Sequence, residues 1–370
     1  MNQKIIILLL SIISVFILSC TKSGPQAGIV TSPWEVVGSR GFTQGVANSI
    51  KISMDGAVPY VAFIDRVNID RISVMKYNGA DWVYVGAAGF TNSPVSLVFF
   101  AISNGTPYVL FDDYTQNRSA SVMKFDGANW VYVGAPGFSG DKKYNYAFFV
   151  DGNTPYAAFS GDYTDPKAGV MKFDGANWVF VGSDEFTEGS VGTPSLFVSG
   201  GTVYYSFIDD SHSGMVTVMK NSSGIWSTVG NPGFSGTAVL NSSVYFDNGI
   251  IYSAFIRSNY LGSQVAVNYY NGSDWVEFGS EDYFDNGVSA ISFAISGGIP
   301  YLGYISWNSA YNEKLSILQY AGGKWSPVGN LAFTGSSNYQ ISMAIYGVKP
   351  YVAFVEPNTY KGSVMTYAGQ

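Results

Sequence analysis

The stretch of residues 122–138 reads VMKFDGANWVYVGAPGF and decides how the rest of the chain is interpreted. Its two apolar runs are rich in β-branched and aromatic residues, which favour strands. The Asp-Gly pair at 126–127 lies between the runs and is a strong signal for a tight hairpin turn. A glycine-rich break follows at 134–137. The stretch therefore predicts two short antiparallel strands followed by a loop.

The same pattern returns along the whole chain at a nearly constant spacing. Its tryptophans are Trp34, Trp82, Trp130, Trp178, Trp226, Trp275 and Trp325. A phenylalanine follows each tryptophan at Phe42, Phe90, Phe138, Phe186, Phe234, Phe284 and Phe333. A tyrosine follows further on at Tyr60, Tyr108, Tyr156, Tyr204, Tyr252, Tyr301 and Tyr351. A period of about 48 residues indicates an array of supersecondary units, and propeller blades have this size.

Each unit contains four predicted strands, which we name A to D. In one unit they are expected at 95–102, 107–111, 121–125 and 130–133. The A–B and C–D turns are short and alike, whereas the B–C loops are long and differ between units. A scaffold that keeps its turns and varies one set of loops is typical of a protein that uses those loops for function.

The number of strands predicts how the array closes. Seven units have strands A, B and C, but the chain ends before the last unit reaches its D strand. A D-like segment without its own unit lies at residues 34–37. We therefore expect residues 34–37 to pair antiparallel with residues 364–367 and to close a ring. Closure would remove an exposed sheet edge that invites aggregation.

The repeats resemble those of seven-bladed β-propeller bacterial lipoproteins, whose units read Pro-Tyr-Val-Ala-Phe, then Val-Met-Lys-Tyr-Asp-Gly, then Trp. The resemblance covers residues 34–370 and implies an all-β, seven-bladed β-propeller with four antiparallel strands per blade. The repeats do not match WD40 or kelch repeats well. They also differ from sialidase Asp-boxes, because Tyr77, Phe125 and Phe173 stand where the Asp-box aspartate should be.

The start of the chain predicts a lipoprotein signal peptide over residues 1–19. Lys4 is followed by an apolar run that is too short to span a bilayer comfortably. The run ends in Ile-Leu-Ser-Cys, which resembles a bacterial lipobox with Cys20 as the lipidated residue. Thr21 follows the cysteine in place of an aspartate, which by analogy favours the outer membrane. Residues 20–33 are expected to form the lipidated cysteine and a flexible tether. The alternative is an ordinary signal peptide with an incidental cysteine.

The charge of the chain limits its partners. Removal of residues 1–19 takes away Lys4 and leaves 18 basic against 26 acidic residues, a formal charge of −8. We therefore expect no nucleic-acid partner. Membrane contact is expected through the lipid anchor only. No cofactor or metal motif is present, and we expect a monomer. His212 lies beside Asp209 and Asp210, but a solvated loop residue is the simpler interpretation of a single histidine.

Carboxylates at equivalent places after strand B form the first candidate site. Asp65, Asp113, Asp209 and Glu356 would point toward the central opening as a partial acidic ring. Paired carboxylates at a suitable separation catalyse glycoside hydrolysis. The alternative is that these residues cap the backbone amides of their own loops as Asx-turns.

The B–C loops form the second candidate site, because they combine tyrosine with asparagine, serine and aspartate as adaptable binding loops do. The alternative is that their tyrosines fold back onto the blades. The candidate ligand-binding residues are Asp65, Arg66, Asp113, Tyr114, Asp162, Tyr163, Asp209, Asp210, Tyr260, Trp307, Tyr311, Glu356 and Tyr360. The leading hypothesis is a non-catalytic, lipid-anchored surface protein that binds a protein or glycan. A glycoside hydrolase or lyase, and an assembly scaffold, are the alternatives.

Overall fold

The computed structural model describes residues 33–140, 143–160, 167–259, 262–279, 287–306, 313–334 and 340–369. The chain forms seven sheets of four antiparallel strands, and each sheet is one blade. The first strand of every blade packs against the first strands of both neighbouring blades, so the blades form a closed ring. The all-β, seven-bladed β-propeller predicted from the repeats is confirmed.

The strands follow the chain in the order A, B, C and D within each blade. Blade 1 consists of β2 (Ala47–Asp55), β3 (Val58–Asp65), β4 (Arg71–Tyr77) and β5 (Trp82–Tyr84). Blade 2 consists of β6 (Val98–Ser103), β7 (Thr106–Asp113), β8 (Ser119–Phe125) and β9 (Trp130–Tyr132). Blade 3 consists of β10 (Tyr144–Asp151), β11 (Thr154–Ser160), β12 (Ala168–Phe173) and β13 (Trp178–Phe180). Blade 4 consists of β14 (Val191–Ser199), β15 (Thr202–Asp209), β16 (Met215–Ser222) and β17 (Ile225–Thr228). Blade 5 consists of β18 (Val239–Asp247), β19 (Ile250–Asn259), β20 (Gly262–Tyr270) and β21 (Trp275–Glu277). Blade 6 consists of β22 (Val288–Ser296), β23 (Ile299–Ser306), β24 (Leu315–Ala321) and β25 (Lys324–Pro327). Blade 7 consists of β26 (Ile341–Tyr346), β27 (Lys349–Val355), β28 (Gly362–Tyr367) and β1 (Trp34–Val36).

The first strand of the domain completes the last blade, as the number of strands predicted. In β1, Trp34 pairs with Tyr367 and Val36 pairs with Met365, in antiparallel register. The Val37 amide extends this pairing by donating to the Val364 carbonyl at 2.9 Å. The two ends of the domain therefore share one sheet.

The repeated tryptophan joins the outer strands of neighbouring blades. Trp130 stacks on Phe90 with the ring centroids 4.1 Å apart, and its indole nitrogen donates to the Val85 carbonyl of the preceding blade at 2.8 Å. Gly86, with φ +73°, lies against the same ring, and a Cβ there would be 2.9 Å from Phe125. These contacts explain why tryptophan, glycine and phenylalanine recur together. The repeated tryptophan and phenylalanine therefore pack between blades.

The strand bounds of blade 2 differ from those predicted, and the difference shortens its B–C loop. Strand β6 begins at Val98 and not at residue 95, because the Asp112 carboxylate accepts hydrogen bonds from the Ser96 and Leu97 amides at 2.8 and 3.1 Å. Strand β7 continues to Asp113, which pairs with Ser119 at the start of β8. The loop itself is therefore only residues 114–118. Buried carboxylates at the end of strand B allow the ladder to extend this far.

Candidate ligand-binding face

The B–C loops and the D–A connections between blades lie together on one side of the ring, which we call the loop face. The connection from blade 7 to blade 1 ends at Ala47, whose amide donates to the Tyr360 carbonyl of blade 7 at 2.8 Å. The Val95 amide likewise donates to the Asp70 carbonyl at 2.9 Å. The B–C loops of blades 7 and 1 are thus held by the connections beside them. The A–B and C–D turns lie on the opposite side, which we call the turn face.

A buried aspartate shapes the B–C loop of blade 1. Asp65 is 2% exposed and precedes a single 3₁₀ turn, Arg66–Asn68. Its carboxylate accepts hydrogen bonds from the Val67 amide at 3.1 Å and from the Asn68 side chain at 2.8 Å. It also accepts one from Ser73 of strand β4 at 2.7 Å. The carboxylate therefore fixes the loop to its own blade.

Blade 2 has the same arrangement around Asp113, which is 1% exposed. The Thr115 amide and hydroxyl donate to one carboxylate oxygen at 3.0 and 2.6 Å. Ser121 and Tyr132 donate to the other at 3.0 and 3.1 Å. Burial, followed by the negative charge of Asp113, raises the pKa of Tyr132 to about 12. Tyr132 therefore stays protonated and remains a hydrogen-bond donor at neutral pH.

Blades 4 and 7 use related contacts. Asp209 accepts hydrogen bonds from the Ser211 amide at 3.0 Å and from Thr217 at 2.7 Å, and lies 2.9 Å from Nδ1 of His212. In blade 7, Glu356 accepts hydrogen bonds from Arg40 at 3.0 Å and Ser363 at 2.8 Å.

These four carboxylates were the candidate acidic ring. The structure places Asp65, Asp113 and Asp209 against their own loops, and Glu356 against Arg40 and Ser363. Asp65, Asp113 and Asp209 cap the first amides of a 3₁₀ turn, which is the Asx-turn arrangement considered as the alternative. Within the described residues, no group of three or more His, Cys, Asp or Glu side chains is arranged to hold a metal ion. The donors to these carboxylates all belong to the protein itself.

Exposed apolar, aromatic and cationic side chains lie close together on part of the loop face. In blade 1, Val67 and Ile69 are 55% and 70% exposed. Tyr114 of blade 2 and Tyr360 of blade 7 are 43% and 53% exposed. The Arg66 side chain is mostly exposed in the same loop as Ile69. Blades 7, 1 and 2 are neighbours in the ring, so these residues form one arc of the loop face.

The backbone of this arc adopts conformations that cost free energy. Ile69 has φ +58° and Tyr360 has φ +55°. A β-branched residue in the left-handed region is a genuine outlier, and such residues cost about 1–3 kcal/mol each. Ile69 recovers little of this by burial, because its side chain is exposed. Backbone strain that presents an apolar side chain to solvent is typical of a functional surface.

A second element of the arc is an arginine held in a fixed position. One guanidinium nitrogen of Arg118 donates to Ser96 at 3.1 Å and to the buried Asp112 carboxylate at 3.3 Å. The same guanidinium lies 4.9 Å from the centre of the Tyr114 ring, within the range of a cation–π interaction. Arg118 and Tyr114 are thus pre-positioned together at the rim of blade 2.

Several sequence-predicted residues fall outside the described ranges, namely Asp162, Tyr163, Tyr260, Trp307 and Tyr311, together with Cys20. Among the described candidates, Arg66, Tyr114, Asp210 and Tyr360 belong to exposed B–C loops. Sequence reasoning missed Val67, Ile69 and Arg118. Two β-branched apolar residues in an otherwise polar loop, Asp-Arg-Val-Asn-Ile-Asp, were the available signal.

Comparison with known proteins gives a fold and no family. No family model matches the chain, and no curated protein matches it in sequence. The polysaccharide lyase Uly1 is similar in structure, with a TM-score of 0.58 and 10% identity over 86% of this chain and 89% of the lyase. The chain is a β-propeller. This likeness establishes the architecture alone.

Two further solved structures are similar over long stretches. A puromycin-hydrolyzing peptidase of Mycobacterium tuberculosis has a TM-score of 0.54 and 12% identity over 88% of this chain and 51% of the peptidase. The six-bladed fucose-binding lectin of Aleuria aurantia has a TM-score of 0.48 and 15% identity over 77% of this chain and 97% of the lectin. Separately, the described part of the propeller contains no helix of the length and apolarity that a membrane crossing requires.

Proposed function

We propose that this protein is a non-catalytic binding protein that recognises a protein or glycan through the loop face of blades 7, 1 and 2. The observation that supports this most directly is Ile69. It is held in a left-handed conformation with its side chain 70% exposed, so folding stability does not explain its presence. A bound ligand that covers the side chain does.

The neighbours of Ile69 support the same proposal. Tyrosine and arginine are enriched where binding energy concentrates in interfaces, and rigid anchors lose little entropy on binding. Tyr114 and Arg118 lie together in a fixed geometry, and Tyr360 extends the arc into blade 7. The capping aspartates supply rigidity, because they tie the loops of blades 1 and 2 to their strands.

The glycoside hydrolase or lyase alternative receives less support from the contacts. A carboxylate that catalyses glycoside cleavage must face the sugar. Asp65, Asp113 and Asp209 are instead buried and accept hydrogen bonds from their own loops.

We further propose that a lipid anchor at Cys20 holds the protein at the outer membrane of a bacterium. The sequence Ile-Leu-Ser-Cys at the end of an apolar run supports the anchor. The loop face would then act as a tethered receptor surface.

The decisive experiment separates binding from folding at Ile69. Asparagine tolerates the left-handed region far better than isoleucine does. Ile69→Asn should therefore unfold at the same or a higher temperature than the wild type. The same variant should bind at least about fivefold more weakly, since truncation of an interface anchor costs more than about 1 kcal/mol. Ligands would be taken from a glycan array and from surface cross-linking on intact cells.

A matched control uses a tyrosine on the other side of the ring. Tyr346 lies at the A–B turn of blade 7 and is 46% exposed, much like Tyr114 on the loop face. Tyr114→Ala should weaken binding of the identified ligand, and Tyr346→Ala should not. Equal affinity of Ile69→Asn, Tyr114→Ala and the wild type would refute the proposal. Turnover of a bound glycan by the wild type would refute its non-catalytic part.

A further inference from the structure

Equivalent grooves open between neighbouring blades on the turn face, away from the proposed binding arc. They lie between blades 7 and 1, blades 1 and 2, and blades 4 and 5, with volumes of about 720, 460 and 530 Å³. These volumes fall in the range of small-ligand clefts. Because the blades are repeats, the three grooves have closely related walls.

Two positions of the repeat form one wall of each groove. The tyrosine of strand B lies opposite a residue of strand C in the ladder: Tyr60 pairs with Lys76, and Tyr204 with Lys220. The other wall is the next blade, with its A–B turn, its C–D turn and the same strand C position. In blades 1 to 4 that strand C position is a lysine, namely Lys76, Lys124, Lys172 and Lys220.

The ammonium groups of these lysines are accessible to a ligand. All four are at least partly exposed, and none of them makes an ion pair among the salt bridges of the described residues. In blades 2 and 3 an aspartate, Asp126 or Asp174, follows two residues after the lysine as the first residue of the C–D turn. Asp126 accepts hydrogen bonds from the Asn129 and Ala128 amides at 2.7 and 2.8 Å, and these amides hold its pKa below the usual range. Its carboxylate is therefore engaged by its own turn.

The charges of the lining residues distinguish the three grooves. The charged residues that line the groove between blades 1 and 2 are Lys76, Lys124 and Asp126. The charged residue that lines the groove between blades 4 and 5 is Lys220. Both carry a net positive charge in a protein that is acidic as a whole. The groove between blades 7 and 1 has the same shape but adds Glu35 and Asp55 to Lys76, so its net charge is negative.

We propose that the grooves between blades 1 and 2 and between blades 4 and 5 bind a carboxylate-bearing oligosaccharide. Lys124 and Lys220 would contact its carboxylates. Carboxylates form charge-assisted hydrogen bonds with ammonium groups. The Asp-Gly and Asn-Gly turns at the rim offer backbone and amide groups to sugar hydroxyls. The proposal concerns a different face from the loop-face function and does not depend on it.

The groove walls disfavour single-stranded nucleic acid as the occupant. Such sites combine a basic channel with aromatic faces on which bases stack. Here Tyr60 and Tyr204 are each only 8% exposed. Half-buried aromatics of the lining, Phe125, Tyr269 and Tyr270, already pack against Trp130, Phe278 and Trp275 of their own blades. A short acidic saccharide needs only one or two cations and a polar cleft.

The test is titration calorimetry with a hexagalacturonate, a neutral hexasaccharide and a single-stranded oligonucleotide as probes. The wild type should bind the hexagalacturonate with an affinity that falls as salt increases, and should not bind the other two. Lys124→Gln and Lys220→Gln should each remove one class of site. The double variant should bind at least about tenfold more weakly, because charged hydrogen bonds are lost from both grooves. Lys324→Gln, which removes an exposed lysine from a strand D position in blade 6, is the matched control.

A gain-of-binding variant makes the test independent of damage to the fold. Glu35→Gln with Asp55→Asn removes both negative charges from the groove between blades 7 and 1, and should raise the stoichiometry by one site. Absence of hexagalacturonate binding by the wild type would overturn the proposal. So would equal binding of the oligonucleotide, or a loss in Lys324→Gln as large as in Lys124→Gln. These outcomes leave the loop-face proposal unaffected, since it is tested with other ligands and variants.

Discussion

At the scale of single residues, a buried carboxylate determines the conformation of an exposed loop. Asp65, Asp113 and Asp209 each accept hydrogen bonds from the turn that follows and from a hydroxyl on strand C. The loops can therefore differ in sequence while their starting geometry stays the same. The side chains that follow the aspartate are free to vary.

Replacement of Asp113 should show this role. Asp113→Ala leaves the Thr115 amide and the Ser121 and Tyr132 hydroxyls without their acceptor. Each unsatisfied buried polar group costs about 1–3 kcal/mol, so we expect a loss of roughly 3 kcal/mol or more in the free energy of unfolding. Urea denaturation measures it. Asp210→Ala, at an exposed loop position, should change stability by no more than about 0.5 kcal/mol. Equal stability of the two variants would show that Asp113 does not hold its loop.

At the scale of elements, a very short strand, β1, closes the ring of blades. Strand β1 has three residues, yet it completes a blade whose other strands come from the opposite end of the chain. Its anchor is Trp34, which is 4% exposed, stacks on Phe333 at 4.0 Å and donates to the Val328 carbonyl at 3.0 Å. One side chain therefore joins β1 to blade 6 as well as to blade 7.

We expect Trp34→Ala to weaken the closure strongly. Removal of a buried tryptophan costs about 3–5 kcal/mol, and here it also removes an indole hydrogen bond. The melting temperature should fall by several degrees or more. Hydrogen exchange of the Thr366 and Ala368 amides should accelerate, since both face β1: Thr366 pairs with Glu35, and the Ala368 amide donates to the Pro33 carbonyl at 2.7 Å. Glu35→Ala alters the exposed neighbour in the same strand and serves as the control. Unchanged exchange in Trp34→Ala would show that β1 does not close the ring.

The sequence was sufficient to predict elements that are repeated and insufficient for those that are not. Trp130, Gly86 and Phe90 recur because equivalent residues meet between neighbouring blades wherever the structure describes all three, so their spacing revealed the blades and the closing strand. The backbone conformation of Ile69 is shared with Asn117 and Ser213, which are also left-handed after the capped turns of blades 2 and 4. Only the choice of isoleucine distinguishes blade 1 from those two blades. The left-handed conformation of Ile69 follows from the capped turn before it, and its exposure follows from the neighbouring D–A connection. Neither is visible in local sequence. The grooves escaped prediction for a related reason, because each wall belongs to a different blade.

At the scale of the whole molecule, the propeller separates two kinds of surface. Variable loops occupy one side, and repeated turns with inter-blade grooves occupy the other. The two proposed ligand sites therefore do not compete for space. The proposed lipidated residue, Cys20, precedes the closing strand, which begins at Trp34.

The proposed anchor gives a prediction for the whole molecule. Cys20→Ser should move the protein from the membrane fraction to the soluble fraction, because lipidation requires the thiol and the acidic domain has little attraction to anionic lipid. Ser23→Ala, in the predicted tether, should leave fractionation unchanged. Both variants should melt at the wild-type temperature, since the change lies outside the propeller. Retention of Cys20→Ser in the membrane fraction would contradict the lipobox interpretation.

The closing strand also has a consequence for biosynthesis. Trp34 leaves the ribosome early, but its acceptor at Val328 is made 294 residues later. During that interval the emerging blades have no closed ring, and the first strand has no partner. Contacts between distant residues form slowly, and unpaired strand edges expose a nascent chain to aggregation. Chains truncated before β28 should therefore depend on chaperones in a way that the complete chain does not.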